Sequence, residues 1–128
     1  MKHSPFQFTN PKVKNIEFHV NDDFDKESFD GFNINNNIEK YIIEEGKIAI
    51  VALETSIGVD QEGAPFYIKV KIVARFKGED MSLDKFNQCL DTNAPAALLS
   101  YVRPIVANLT VQSGFPALNI PFMNFVED

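Results

Sequence analysis

The side chains able to carry covalent or acid–base chemistry are few: two His and one Cys in 128 residues. His3 stands in the first residues. His19 falls at an outward position of an alternating segment with no metal partner nearby in sequence, which reads as a solvated strand histidine. Cys89 shares a helix face with Phe86 and Leu90, as a small core residue does. Acidic pairs occur at Asp22-Asp23, Glu44-Glu45 and Glu79-Asp80, each in an expected loop. Asp22, Asp23 and Asp25 lack both the Gly and the terminal Glu of a calcium loop. There is no phosphate-cradling Gly loop, no zinc spacing and no nucleophile elbow. With no nucleophile–base pair and no metal constellation, the expectation is a protein that is not an enzyme and uses no cofactor.

The chemistry that remains is contact chemistry. The chain holds 12 Phe and 3 Tyr but no Trp. That is more Phe than a core of this size needs, so some rings are expected at the surface for a purpose. Twelve Lys plus Arg stand against 18 Asp plus Glu, a formal charge of −6. This balance argues against a nucleic-acid footprint spread over the chain. At 45% apolar the sequence is no disordered acidic tail, and a single domain spanning 1–128 is the expectation. The N-terminus MKHSPFQFTNPKVK has no apolar signal region, and the run Ile48 to Leu53 is far short of the ~20 residues that span a bilayer. A lone Cys excludes an internal disulfide and suits a reducing compartment. A cytoplasmic location without membrane insertion follows as an expectation.

Elements that position these rings are read from periodicity. Phe66, Ile68, Val70, Ile72, Ala74 and Phe76 alternate with Tyr67, Lys69, Lys71, Val73 and Arg75, the pattern of a half-buried strand. Ala49, Val51, Leu53, Thr55, Ile57 and Val59 form a similar row, whose opposite face carries Ile48, Ile50 and Ala52. A third run, Phe32, Ile34, Ile38 and Ile42, is interrupted by Asn36 and Lys40 in phase. Val13 to Val20 is the fourth, with Ile16, Phe18 and Val20 inward and Asn15, Glu17 and His19 outward. Strands are thus expected between about 6 and 77. The loops Glu44-Glu45-Gly46-Lys47 and Gln61-Glu62-Gly63-Ala64 have hairpin length, which predicts a meander. Asn21 to Gly31 is long, acidic and carries Phe24 and Phe29; by residue type alone it reads as a surface loop pinned to the core.

Helices are expected between about 82 and 112. Ser82 can cap a short one with Leu83, Phe86, Cys89 and Leu90 on one face. Asn93-Ala94-Pro95 opens a longer one, with Asn93 as cap and Pro95 in the first turn. Its stripe is Leu98, Tyr101, Val102, Ile105, Val106 and Leu109. Pro104 is expected to kink or weaken it, and Ser113-Gly114 to end it. The 113–128 tail is extended by its prolines yet strongly apolar, so it must lie against something. The fold class is α+β: a four-stranded antiparallel sheet meander followed by a short helix and a longer helix packed on one face.

The helix and tail carry a more specific pattern. Cys89-Leu90, then Asn93-Ala94-Pro95-Ala96-Ala97-Leu98-Leu99-Ser100-Tyr101-Val102-Arg103, then Gly114-Phe115-Pro116-Ala117-Leu118-Asn119-Ile120-Pro121 and Asn124-Phe125, resemble the SecB protein-export chaperone family. The resemblance implies a homo-oligomer, a dimer of dimers, that holds unfolded or precursor polypeptides in apolar grooves without ATP and passes them to the SecA motor. It gives the surplus Phe a role. Client-binding positions would be Phe24, Phe29 and Phe32 in the crossover loop, and Phe115, Leu118, Ile120 and Phe122 after the helix. Aromatic surfaces grip varied apolar segments with little geometric demand, and weak contacts along a groove sum by avidity.

Two departures accompany the resemblance. Family members continue past Asn-Phe into another helix and a tail that contacts SecA, whereas this sequence ends at Val126-Glu127-Asp128; a groove wall is expected to be missing or replaced. The family also docks SecA through acidic residues on the outer sheet face. Here Asn15, Glu17, His19, Lys69, Lys71 and Arg75 occupy that face, so Glu17 is the one acidic candidate to face SecA. Client holding is the leading expectation. Alternatives are a SecB-like chaperone dedicated to one partner, such as an antitoxin, and an oligomeric adaptor whose apolar surfaces are subunit interfaces.

Overall fold

The computed structural model describes residues 5–24, 29–123 and 125. The readings of His3, Asp25, Asn124 and the 126–128 end lie outside these residues. The chain forms β1 (Phe6–Phe8), β2 (Lys12–Val20), β3 (Ile34–Glu44), β4 (Ile48–Ile57) and β5 (Phe66–Gly78), then α1 (Leu83–Asp91) and α2 (Asn93–Gln112). The α+β class therefore stands, with all strand pairs antiparallel.

The meander runs through β3, β4 and β5 only. β1 and β2 both pair with β5, Phe6–Phe8 along Phe76–Gly78 and Lys12–Val20 along Phe66–Val73. They are one sheet position interrupted at Asn10-Pro11, because proline brings no N–H to the ladder. The chain then crosses to the opposite edge, where β3 pairs with β4. Hairpin loops of the right length mark neighbours, but nothing local tells the first strand to join the last. Sheet pairing across that separation is set by burial, not by turn chemistry.

Alternation on β5 is as the sequence predicts: Phe66, Ile68, Val70, Ile72, Ala74 and Phe76 are buried against the helices. On β4, Ala49, Val51, Leu53, Thr55 and Ile57 are buried likewise. The polar interruptions on β3 have partners. Thr55 Oγ1 donates to Asn36 Oδ1 at 2.7 Å across the ladder, and the Lys40 ammonium bonds the Asp91 carboxylate on α1.

Ser82 caps α1 by accepting from Lys85 N at 3.1 Å. The N-cap position of α2 is Thr92 rather than Asn93, which is already helical; Thr92 makes no side-chain cap bond to α2, and its Oγ1 donates back to Gln88 O at the end of α1 at 2.9 Å. Pro104 does not break α2, which continues through it to Gln112. Both Pro104 and Ser100, whose carbonyl loses its donor, are exposed, so water can satisfy that carbonyl. The stretch Leu83–Gln112 is long and apolar enough by composition to cross a membrane. In this fold it is two helices whose Phe86, Leu90, Leu98, Val102 and Val106 pack into the sheet.

α2 ends in a left-handed turn. Gly114 takes φ +85°, Gly114 N donates to Val111 O at 3.1 Å and Phe115 N to Thr110 O at 3.0 Å. This pairing reverses the chain and directs Phe115 back over the sheet. The tail then runs along α2, held by Leu118 N donating to Thr110 Oγ1 at 3.0 Å and by Arg103 Nε donating to Ile120 O at 2.7 Å.

Candidate functional site

The crossover loop and the tail meet at one end of the sheet. Phe66, the first residue of β5, is buried at the centre of a cluster of rings. Phe18 stacks on it at 5.6 Å between centroids, Phe32 stacks at 4.7 Å and Phe115 meets it edge-on at 5.0 Å. Phe29 abuts Phe32 at 4.8 Å and Phe24 abuts Phe115 at 5.9 Å. Phe24, Phe29, Phe32 and Phe115 are each half-buried, so every one keeps part of its ring at the surface.

Polar contacts hold the loop ends in place. Asn21 N donates to Pro65 O at 2.8 Å and Asn21 Nδ2 to Ala64 O at 3.1 Å. On the far side Gln61 Oε1 accepts from Asn33 N at 2.9 Å, and Gln61 Nε2 donates to Gly31 O. Gly58, with φ +71°, lies under the cluster; a Cβ there would fall 2.5 Å from Phe66 O and 3.3 Å from the Phe32 ring.

The tail residues divide. Leu118 is half-buried and packs against the core. Phe122 is 88% exposed, with the Arg103 guanidinium 4.2 Å from its ring centroid. Ile120 is fully buried, which corrects the expectation that it lines a groove: it anchors the tail and offers no surface. Glu17 is exposed on the outer face, opposite Lys69 in the ladder and within 3.5 Å of Asn15 Nδ2.

Sequence reasoning missed a second set of residues. Phe8, Val13 and Ile16 keep 39%, 45% and 44% of their surface exposed although they point to the helix side of the sheet. The cause is width. A helix is about 10 Å across and strands lie about 4.8 Å apart, so one helix covers about two strands. α2 lies over β4 and β5, which leaves the inward row of β1 and β2 open. Tyr101 is also exposed, and its ring meets Phe8 at 6.2 Å. Ile105 and Leu109 follow Tyr101 at helical spacing on the same face. The row Phe8, Val13, Ile16, Phe18 leads into the aromatic cluster and spans roughly 30 Å at 3.3 Å per residue. The available signal was an apolar row on a strand that a single long helix is too narrow to reach.

At the other edge, Tyr41, Ile42 and Ile43 of β3 are more than half exposed beside an unpaired ladder. The Tyr41 hydroxyl donates to the Glu39 carboxylate, which holds its pKa above the usual tyrosine value. His19 stacks on Tyr67 at 5.5 Å, and Cys89 is buried. Among the described residues no group of His, Cys, Asp or Glu is arranged to hold a metal ion.

Comparison with known proteins agrees with this geometry. A curated relative, an uncharacterized protein of Methanocaldococcus jannaschii, is 28% identical over 121 residues, covering 92% of this chain and 78% of its own. Among solved structures, the fold is similar to the Mycobacterium tuberculosis SecB-like chaperone in complex with a ChAD peptide from the HigA1 antitoxin. That match has a TM-score of 0.66 and 15% identity over 92% of this chain and 90% of the other. The family model for preprotein translocase subunit SecB matches residues 7–127. The chain belongs to the SecB family of chaperones.

Proposed function

We propose that this protein is an ATP-independent holdase that keeps unfolded or precursor polypeptides soluble in the cytoplasm. The observation that carries this reading is the half-exposed apolar row along β1 and β2, which runs into the aromatic cluster of Phe24, Phe29, Phe32 and Phe115. An extended client of about nine residues fits a row of roughly 30 Å at 3.3 Å per residue. Its apolar side chains would lie on rings that make few geometric demands. Its backbone could pair with a free sheet edge, as in strand addition. Phe122, standing out from the tail, would extend the contact, with Leu118 beside it. Several such weak contacts on one client, repeated in a dimer of dimers, raise the overall affinity without sequence specificity.

Client holding does not require SecA. Delivery to SecA would rest on Glu17, a carboxylate that faces Lys69 across the ladder. A dedicated role, holding one partner such as an antitoxin, is the second reading, favoured by the likeness in fold to a chaperone solved with an antitoxin peptide.

The test is suppression of aggregation. The intact protein is expected to prevent light scattering by a chemically unfolded client at stoichiometric ratio, without nucleotide. Undiminished scattering at excess protein would contradict the reading. Polypeptides co-purifying from the native host separate the two forms: a broad set supports a general holdase, and one small protein supports the dedicated role.

A further inference from the structure

We propose that the outer face of the sheet, at the break between β1 and β2, docks an acidic, apolar-bearing polypeptide segment of a partner protein. Two adjoining hollows of about 360 and 370 Å³ open there and share Thr9 and Arg75. Their floor is aliphatic, made by Ile48, Ile50 and Val73, all part-exposed. Their rim is cationic, made by Lys12, Lys14, Arg75 and Lys77.

The backbone explains the gathering. Val73, Arg75 and Lys77 occupy alternate, outward positions of β5, with Ile50 opposite Arg75 and Ile48 opposite Lys77 on β4. On the other side Lys12 stands opposite Val73, and the register slips between Val13 and Asn15. The bulge takes up Lys14 as an extra residue and lets both lysines line the same hollow. Lys77 has Glu79 at 3.3 Å, but among the described residues no carboxylate lies within 4.0 Å of Lys12, Lys14 or Arg75. Like charges so placed repel one another and contribute nothing to the fold. They are also of opposite sign to the chain, which is −6 overall.

The surroundings select the partner. Glu17 faces Lys69 and Glu54 faces Lys71 in the ladder, so the positive area is confined to the hollows instead of forming a stripe. A phosphodiester chain would meet those carboxylates and an acidic molecule. A short segment with carboxylates for the rim and aliphatic side chains for the floor matches both features. Electrostatic complementarity of this kind sets specificity and association rate. The first hollow borders the row proposed to hold clients at Phe8, but Lys12 and Arg75 stand in the outward register, so changes at those two residues leave the row's own side chains in place.

The experiment uses the intact protein and a soluble, labelled peptide of Glu and Leu, with a Lys-for-Glu peptide as its control. The acidic peptide is expected to bind with an affinity that falls as salt rises, and the basic one not to bind. Lys12→Glu with Arg75→Glu should weaken the acidic peptide about tenfold or more, a loss of about 1.4 kcal/mol or more. Arg75→Lys should retain most of the affinity, and aggregation suppression should not change in either variant. Equal binding of both peptides overturns the proposal. So does indifference to the double substitution, preferential binding of a single-stranded RNA oligonucleotide, or a change in oligomer mass with peptide affinity untouched.

Discussion

Gly58 couples the turn after β4 to the aromatic cluster. Its φ of +71° is costly for any residue with a Cβ, and an added methyl would also meet Phe66 O at 2.5 Å. Gly58→Ala is therefore expected to destabilise the protein by about 2–4 kcal/mol, combining a left-handed backbone with overpacking. Chemical denaturation reads this as a lower midpoint; an unchanged midpoint would show that the turn can relax away from Phe66. At this scale the sequence was informative about type and silent about partnership. Phe24, Phe29, Phe32 and Phe115 stand out because irregular segments have no core period to account for them. That Phe32 and Phe115 meet on Phe66, with Phe29 and Phe24 packed behind them, depends on the crossover, which no local pattern encodes. Ile120 shows the converse. In a proline-punctuated tail it reads like its neighbours Leu118 and Phe122, and only packing separates a buried anchor from an exposed ring.

Among the elements, β4, β5 and both helices were legible because each presents one apolar face at a clean period. β3 was harder to read, since Asn36 and Lys40 occupy the inward phase, yet each has a partner in Thr55 and Asp91. The sequence reading has one strand, Val13 to Val20, ahead of β3; the structure adds the short β1 before it, separated from β2 where Pro11 withholds a ladder donor. Proline is tolerated differently in α2. Pro104 sits on the exposed side and leaves the helix continuous, but it still removes one helical hydrogen bond. Pro104→Ala is expected to raise stability by about 1–3 kcal/mol, since alanine restores the donor and has the best helix propensity. Denaturant melting should show a higher midpoint with unchanged slope. A lower midpoint would mean that Pro104 is stabilising where it stands.

For the whole molecule, the controlling fact is a mismatch of widths. One long helix lies on a sheet four strand positions wide, and the edge strands keep apolar side chains at the surface on both sides. A fold that closed its helix-side core completely would bury Val13, Ile16 and Ile42. Leaving them open is what a chaperone surface requires, and it is a property of the assembled layers, not of any one segment. The surplus of Phe over Trp now offers a direct readout. Because the chain has no Trp, an unfolded polypeptide carrying Trp reports its own burial without background. The decisive measurement is titration of such a polypeptide with the intact protein, followed by its fluorescence. The expected result is a saturable blue shift, retained in Lys12→Glu with Arg75→Glu on the outer face and lost in Ile16→Asp with Phe32→Ser on the apolar row, both variants keeping the wild-type circular dichroism. A shift that survives in the folded Ile16→Asp, Phe32→Ser variant, or no shift with the wild-type protein, would contradict client holding on this surface.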